Sequence, residues 1–152
     1  MDPGPYLIDT NVFVIDRRYR RDRNYAVNRR FLDFVKRDRS GFTTTINLLE
    51  LCGILSFNLN EQQLQTVWDG FAERYGVGVL PAPAADASLP PYPIRDVLGC
   101  LRRRVALGDA LFLLTATRHL AFARTLVTWD REHFTDRFPG RVVTPADLIA
   151  DT

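Results

Sequence analysis

Five short apolar runs are spaced along the chain with helical patterns between them, and that alternation restricts the fold more than any other feature. The runs are YLIDTNVFV, GFTTT, VGVLP, RTLVTWD and GRVVTP. Between the first two, RNYAVNRRFLDFVKRDRSG carries Val27, Phe31, Phe34 and Val35 at helical spacing and stops at Gly41, which can supply a left-handed cap. INLLELCGILSFNL reads as a mostly apolar helix, and Asn60 opens an amphipathic one with Leu64, Val67, Trp68 and Phe71 on one face, ending at Gly76. Five of the nine prolines fall between Pro81 and Pro93, so that stretch is a loop. Two further helices, IRDVLGCLRRRVAL and DALFLLTATRHLAFA, are separated by a break near Gly108, REHF makes a helical turn, and Pro145 starts a terminal helix. Strands separated by helices are joined by crossovers, which implies an α/β three-layer sandwich with a mainly parallel central sheet flanked by helices.

The chain has 152 residues, 46% of them hydrophobic, enough for one domain over residues 1–152 with a real core. No charge-free apolar stretch is long enough to cross a bilayer, and the opening MDPGPYLID does not resemble a signal peptide, so the expected location is cytoplasmic and no membrane is involved. Cys52 and Cys100 lie apart in apolar surroundings and read as buried thiols. With only His119 and His133 besides, a soft metal site is poorly supplied, and any metal here should be a hard cation held by oxygen.

Four acids stand alone in apolar sequence. Asp9 has no charged neighbour between Asp2 and Asp16, Glu50 none between Arg39 and Glu61, and Asp109 none between Arg104 and Arg118, while Asp130 ends the strand TLVTW. Glu50 falls in a helical stripe with Ile46, Leu49, Gly53, Ile54 and Phe57 and is expected to point inward. Each acid has a plain alternative: Asp109 and Asp130 are good N-caps, and Glu50 could pair with a buried Arg. Asp9 is the hardest to explain away, because a carboxylate in a buried strand needs partners. Asp9 and Asp130 both sit at the carboxyl ends of strands, where open parallel sheets gather their active sites. If all four acids share one pocket, their repulsion raises pKa values unless a cation compensates, and carboxylate oxygens suit Mg²⁺ or Mn²⁺. A cation so held can activate water against a phosphodiester.

The charge distribution agrees. Residues 16–39 hold ten Lys and Arg against four acids, net +6, whereas residues 40–101 hold two against six, net −4. Arg17, Arg18, Arg20 and Arg21 are candidates for phosphate contacts, against the plainer reading of a solvated face. Asp16, which opens this segment, reads as a surface residue. An acidic pocket with a basic rim points to a nuclease.

At these residues the sequence resembles the PIN-domain family, most closely the VapC-like toxin ribonucleases of VapBC-type toxin–antitoxin pairs. The resemblance rests on YLIDTNVFV, TTINLLELCG, LGDALFLLTATRH and TLVTWDREHF in that order, with VVTPADLI matching the usual ending. It implies Mg²⁺- or Mn²⁺-dependent hydrolysis of RNA, with Asp9, Glu50, Asp109 and Asp130 as catalytic, metal-binding acids and Asn11 and Thr128 as polar supports; Thr10 also matches. It further implies a homodimer and a small antitoxin protein that covers the acidic pocket. The loop from Pro81 to Pro93 has no counterpart in the pattern. An RNA-maturation nuclease and a catalytically silent RNA-binding module remain open, as does a metal-free ribonuclease using His119 and His133, although His133 on a polar turn reads as a surface residue. A haloacid-dehalogenase-like phosphatase is disfavoured, since it would need a second acid where Asn11 stands and a lysine later than Lys36.

Overall fold

In the computed structural model, which describes residues 4–150, β1 (Tyr6–Ile8), β2 (Gly41–Thr44), β3 (Gly78–Leu80), β4 (Thr125–Val127) and β5 (Arg141–Val143) form one sheet in the order β3-β2-β1-β4-β5. Every pairing is parallel. The helices are α1 (Thr10–Arg18), α2 (Tyr25–Asp38), α3 (Thr45–Leu55), α4 (Glu61–Tyr75), α5 (Ile94–Arg102), α6 (Leu107–His119), α7 (Arg131–Phe134) and α8 (Pro145–Ile149). The α/β sandwich expected from the alternation is therefore present.

Side chains of successive strand residues face opposite ways, and the central strand shows why there are three layers. Tyr6 and Ile8 enter a core built with Val12 and Phe13 of α1, Phe31 and Val35 of α2, and Phe71 and Tyr75 of α4. Leu7, between them, enters a second core with Ala110, Phe112 and Ala116 of α6 and Phe134 of α7. β4 repeats the division, with Val127 on the first side and Leu126 on the second. All three residues of β1 are fully buried, which accounts for their uninterrupted apolar character.

Three local expectations need correction. YLIDTNVFV is not one strand: pairing stops at Ile8, Asp9 is the N-cap, and Thr10 begins a helix running to Arg18. Val12, Phe13 and Ile15 are buried, so the apolar run reflects a packed helix face as well as a strand. Gly41 is not a helix cap. Arg39 takes the left-handed conformation at the end of α2 with φ 51°, and Gly41 opens β2, where a Cβ would come within 2.9 Å of Val77. Gly76, by contrast, does close α4 as a left-handed cap with φ 62°. Cys52 is buried as expected, whereas Cys100 is only half-buried; both are free.

The third correction concerns Asp16, which is buried rather than on the surface. It accepts hydrogen bonds from Tyr75 Oη at 2.6 Å and from Arg29 at 2.8 Å, and Arg74 lies 3.7 Å away. Burial alone would raise its pKa, but the bonds from Tyr75 and Arg29 and the charges of Arg29 and Arg74 outweigh it and lower the value. Burial and Asp16 together push the Tyr75 phenol up to about 12. The sequence hides this because the three partners come from α2 and α4, 13 to 59 residues away.

Removing the Asp16 charge should therefore destabilise the fold. Asp16→Asn leaves Arg29 and the buried Tyr75 hydroxyl short of an acceptor, and a loss of roughly 2–4 kcal/mol in urea unfolding is expected. Because the folded pKa is depressed, this contribution is complete above the ordinary carboxylate range and is lost as pH falls through the folded value. The wild-type advantage over Asp16→Asn should shrink as the pH is taken below about 4; an advantage that grows with acid would contradict the assignment.

Candidate functional site

The site lies at the carboxyl edge of the sheet, where the strand order reverses between β1 and β4. Such a switch point leaves a crevice because the crossovers from the two neighbouring strands depart to opposite faces. Asp9 follows β1 directly and its backbone N–H donates to Val127 of β4 at 3.0 Å, so the carboxylate is fixed between the two strand ends.

Asp9 is buried, with only 6% exposure. Its Oδ1 accepts from the Thr10 backbone N–H and its Oδ2 from the Thr128 hydroxyl, both at 2.8 Å. Burial raises its pKa to about 7, assisted by the negative charges of Asp109 and Glu50 and opposed by the bonds from Thr128 and Thr10. Two hydrogen bonds do not replace the hydration of an ionised carboxylate, and no positive charge is among the causes acting on it.

Thr128 is a junction. Besides donating to Asp9, its hydroxyl accepts from Asn11 Nδ2 at 3.1 Å and from the Asp130 backbone N–H at 3.0 Å. Asn11 Oδ1 in turn accepts from the Trp129 backbone N–H at 3.2 Å. Asn11 and Thr128 thus lace the start of α1 to the segment after β4. A further residue, Asn28 of α2, holds both sides: it accepts from Trp129 Nε1 and donates to the Val12 carbonyl, each at 2.8 Å. Nothing in its polar, Arg-rich surroundings marks Asn28 in the sequence.

Glu50 is carried in by α3. The capping box of Thr44 and Asn47 starts that helix at the end of β2, and Asn47 Nδ2 also donates to the Thr10 hydroxyl at 2.9 Å. Glu50 stands three residues beyond Asn47, on the same side of the helix, and is near enough to the Thr10 hydroxyl for that group to oppose the rise in its pKa. Thr10 therefore joins α3 to α1. The expectation that Glu50 points into the core is wrong: the residue is exposed, Leu49 and Phe57 of the supposed stripe are exposed too, and the buried face is made by Leu48, Leu51, Cys52 and Leu55. The helix is apolar nearly all round, so spacing alone could not say which side is buried. Glu50 instead lies against the first turn of α6, with Oε2 3.5 Å from where a Cβ on Gly108 would be. Partial desolvation raises its pKa first of all, and Asp109 adds to the rise.

Asp109 is not an N-cap. Ala106 occupies the cap position, and Asp109 sits in the first turn of α6. Its Oδ2 meets His133 Nε2 at 2.8 Å, which makes His133 a partner of the site and not a free surface residue. Asp130 does occupy the cap position of α7 but makes no side-chain cap bond, and its carboxylate is exposed. The charges of Asp109 and Glu50 act on Asp9 and that of Asp109 on Glu50, whereas Asp130 touches the group through its backbone: its N–H donates to Thr128 and its carbonyl accepts from the backbone N–H of His133, the partner of Asp109. His119 ends α6 at the far end of the helix from Asp109.

Among the described residues, no group of three or more His, Cys, Asp and Glu stands ready to hold a metal ion. Two of the three acids are turned to hydrogen-bond partners of their own, Asp9 to Thr128 and Thr10 and Asp109 to His133. The donor set nevertheless suits a hard cation, since it is all oxygen and each carboxylate oxygen keeps a second lone pair. Rotation of Glu50 and Asp109 about their side-chain bonds is what convergence requires.

The basic segment divides in two. Arg17 donates to Tyr75 Oη at 3.1 Å and packs over its ring, and Arg18 bonds the Ile54 carbonyl and Asn58. Arg20 and Arg21 are exposed, and no hydrogen bond or ion pair to another described residue engages them.

No protein-family model matches the sequence, and no curated protein matches it. Solved structures do match the fold. The chain is similar to VapBC2 from Rickettsia felis bound to a DNA fragment from its promoter, at 20% identity and a TM-score of 0.58 over 91% of this chain and 97% of that one. FitAcB from Neisseria gonorrhoeae gives 17% identity and a TM-score of 0.58 over 92% and 97%. PAE2754 from Pyrobaculum aerophilum gives 16% and 0.56 over 99% and 96%. With a five-stranded all-parallel sheet flanked by helices and an architecture shared along nearly the whole of each chain, this protein has the PIN-like fold.

Proposed function

We propose that the protein is a Mg²⁺- or Mn²⁺-dependent endoribonuclease and the toxin of a toxin–antitoxin pair. The observation that carries this reading is the group of Asp9, Glu50 and Asp109 at the switch point, where the charges of Asp109 and Glu50 add to the raised pKa of the buried Asp9 and that of Asp109 adds to the rise at Glu50. A fold without use for three coupled carboxylates gains nothing by keeping them together. Asp9, Glu50 and Asp109 are the residues that would hold the cation, with Asp130 joining from the exposed start of α7. When bound, the cation supplies charge for the phosphodiester and lowers the pKa of water. The chain supplies the rest: Thr128 and the Thr10 N–H orient Asp9.

The toxin assignment draws on the structural likeness to complexes named VapBC2 and FitAcB. A small antitoxin protein is the proposed partner, with exposed Leu49 and Leu107 beside Glu50 and Asp109 as apolar contacts for it. A homodimer and a cytoplasmic location belong to the same proposal. No helix among the described residues is long and apolar enough to cross a membrane. The silent RNA-binding module draws on the absence of a ready-made group of three ligands among the described residues, and the RNA-maturation nuclease shares the site and differs only in substrate.

RNA cleavage by the purified protein should require Mg²⁺ or Mn²⁺, stop with EDTA, and fall at least about a hundredfold in Asp9→Asn with the circular dichroism spectrum unchanged. Cleavage that survives EDTA would sink the metal-dependent reading, and binding of RNA without cleavage would support the silent module.

The raised pKa of Asp9 has a thermodynamic sign. Between the unfolded value of 3.8 and the folded value of about 7, the folded state binds the extra proton, so this group makes the metal-free protein less stable as pH rises across that window. Asp9→Asn removes the effect. In EDTA the variant should gain on wild type by roughly 2–4 kcal/mol between about pH 4 and pH 8 in parallel chemical denaturation. A difference that does not change with pH would mean that Asp9 ionises normally.

For RNA binding, neutralising Arg20 and Arg21 should weaken affinity and reduce the slope of log affinity against log salt by roughly 0.7 for each phosphate that is no longer neutralised. Neutralising Arg17 and Arg18 should cost thermal stability instead, because their partners are within the fold. Equal salt slopes in wild type and the Arg20/Arg21 variant would make the loop a solvated face only.

A further inference from the structure

The chain leaving α1 reads Arg17-Arg18-Tyr19-Arg20-Arg21-Asp22, one aromatic ring with two arginines on each side, and phosphate contacts alone leave that ring without a role. The six residues line an open hollow of about 530 Å³, within the range of small-ligand sites. Four arginines against one aspartate make its lining net positive. Tyr19 is 50% exposed, and among the described residues nothing bonds its hydroxyl and no second ring packs on it. Its backbone, by contrast, is fixed. The Tyr19 N–H donates to the Ile15 carbonyl at 3.0 Å, the Asp22 N–H to the Tyr19 carbonyl at 2.9 Å, and the Tyr25 N–H to the Asp22 carbonyl at 3.0 Å. Asp22 Oδ1 also accepts from the Asn24 N–H at 2.7 Å, which ties the loop to the start of α2. Arg18 clasps the turn after α3 through the Ile54 carbonyl and the Asn58 side chain, and Phe57, between those two, is 87% exposed. An ordered loop thus keeps an unpartnered ring among positive charges, with another exposed ring in the turn to which it is tied.

We infer that Tyr19 is a stacking platform for an unpaired base of single-stranded RNA, seated in this hollow while Arg20 and Arg21 neutralise the flanking phosphates. The inference rests on the RNA-binding part of the proposed function and deepens it. The chemistry of the lining asks for an occupant that is both flat and negatively charged. An apolar side chain of a protein would cover the ring but leave the positive charge of the lining unmatched, and a phosphate alone would leave the ring bare. A nucleotide supplies both parts. In a duplex the faces of each base are covered by its neighbours, so an exposed ring can stack only where a base is unpaired. Because the turns already hold the Tyr19 backbone, a base gains this contact without having to order the loop. Stacking is also indifferent to ion concentration, whereas phosphate contacts weaken as salt rises, and that difference separates the ring from its arginine neighbours.

The test is fluorescence anisotropy with the full chain in EDTA, for wild type, Tyr19→Ala and Tyr19→Trp, with melting temperatures taken alongside. The probes are labelled oligouridylate, an abasic ribose-phosphate chain of the same length, and a blunt RNA duplex. Wild type is expected to bind oligouridylate more tightly than the abasic chain. Tyr19→Ala should lose at least about fivefold in affinity for oligouridylate while melting as wild type does and keeping the same slope of log affinity against log salt. Tyr19→Trp should recover that loss, and neither variant should change binding of the abasic chain or the duplex. Undiminished binding of oligouridylate by Tyr19→Ala overturns the inference and leaves the exposed ring as a contact for a protein partner. Tryptophan binding as weakly as alanine, or an equal loss on the abasic or duplex probe, also overturns it, because a base stacked on the ring would not be what was lost. Failure of wild type to bind oligouridylate overturns the inference outright, and the cleavage assay decides separately whether the nuclease reading falls with it.

Discussion

The bond between Thr128 and Asp9 is the interaction on which the rest of the site depends. It crosses from the end of β4 to the end of β1, and those are the two strands at which the sheet changes direction. Thr128 can hold Asp9 only because its own backbone N–H is fixed to Val143 of β5 at 2.9 Å, and because Asn11 and the Asp130 N–H occupy its acceptor side. Three strands and the first turn of α1 are thus committed to the placement of one carboxylate. Yet the same carboxylate remains poorly solvated, with its pKa raised to about 7. Structure has been arranged around a group that the chain by itself does not satisfy.

Asp16 supplies the contrast that gives this weight. Both acids are buried on or beside α1, seven residues apart, and both lose hydration. Asp16 is compensated by Tyr75, Arg29 and Arg74, and its pKa falls; Asp9 faces two more acids, and its pKa rises. A chain with this much arginine could have compensated both. The difference between them separates an acid that stabilises three packed helices from one that the fold leaves uncompensated.

Much of this is legible in the sequence because it depends on local pattern. Alternation of short apolar runs with helices implies the parallel sheet, and isolation in apolar sequence picks out Asp9, Glu50 and Asp109, which the fold brings together. What the sequence hides depends on tertiary partners. The helix from Thr10 is masked because an apolar helix face and a buried strand read alike over five residues. Glu50 reads as inward because α3 is apolar on both sides, and the choice between them is made by its packing on α1 and α6. Asp16 looks like the first residue of a charged surface, and its burial is visible only once Tyr75 arrives from α4. His133 and Asn28 carry no signal at all in a single sequence, since ordinary polar turns and helices contain such residues for many reasons.

The geometry of α1 also bears on the basic segment. Nine residues separate the acid-bearing start of the helix from Arg18, a rise of about 14 Å at 1.5 Å per residue. Arg17 and Arg18 at the end of the helix are engaged by Tyr75, Ile54 and Asn58, so they fix the direction in which the following loop leaves the body of the protein. Arg20 and Arg21, just beyond them, inherit that direction and keep their guanidinium groups in solvent. Composition counts all four as one positive patch. The fold splits them into a pair that orients the loop and a pair that can meet a phosphate, and it places the second pair about a helix length from the carboxylates.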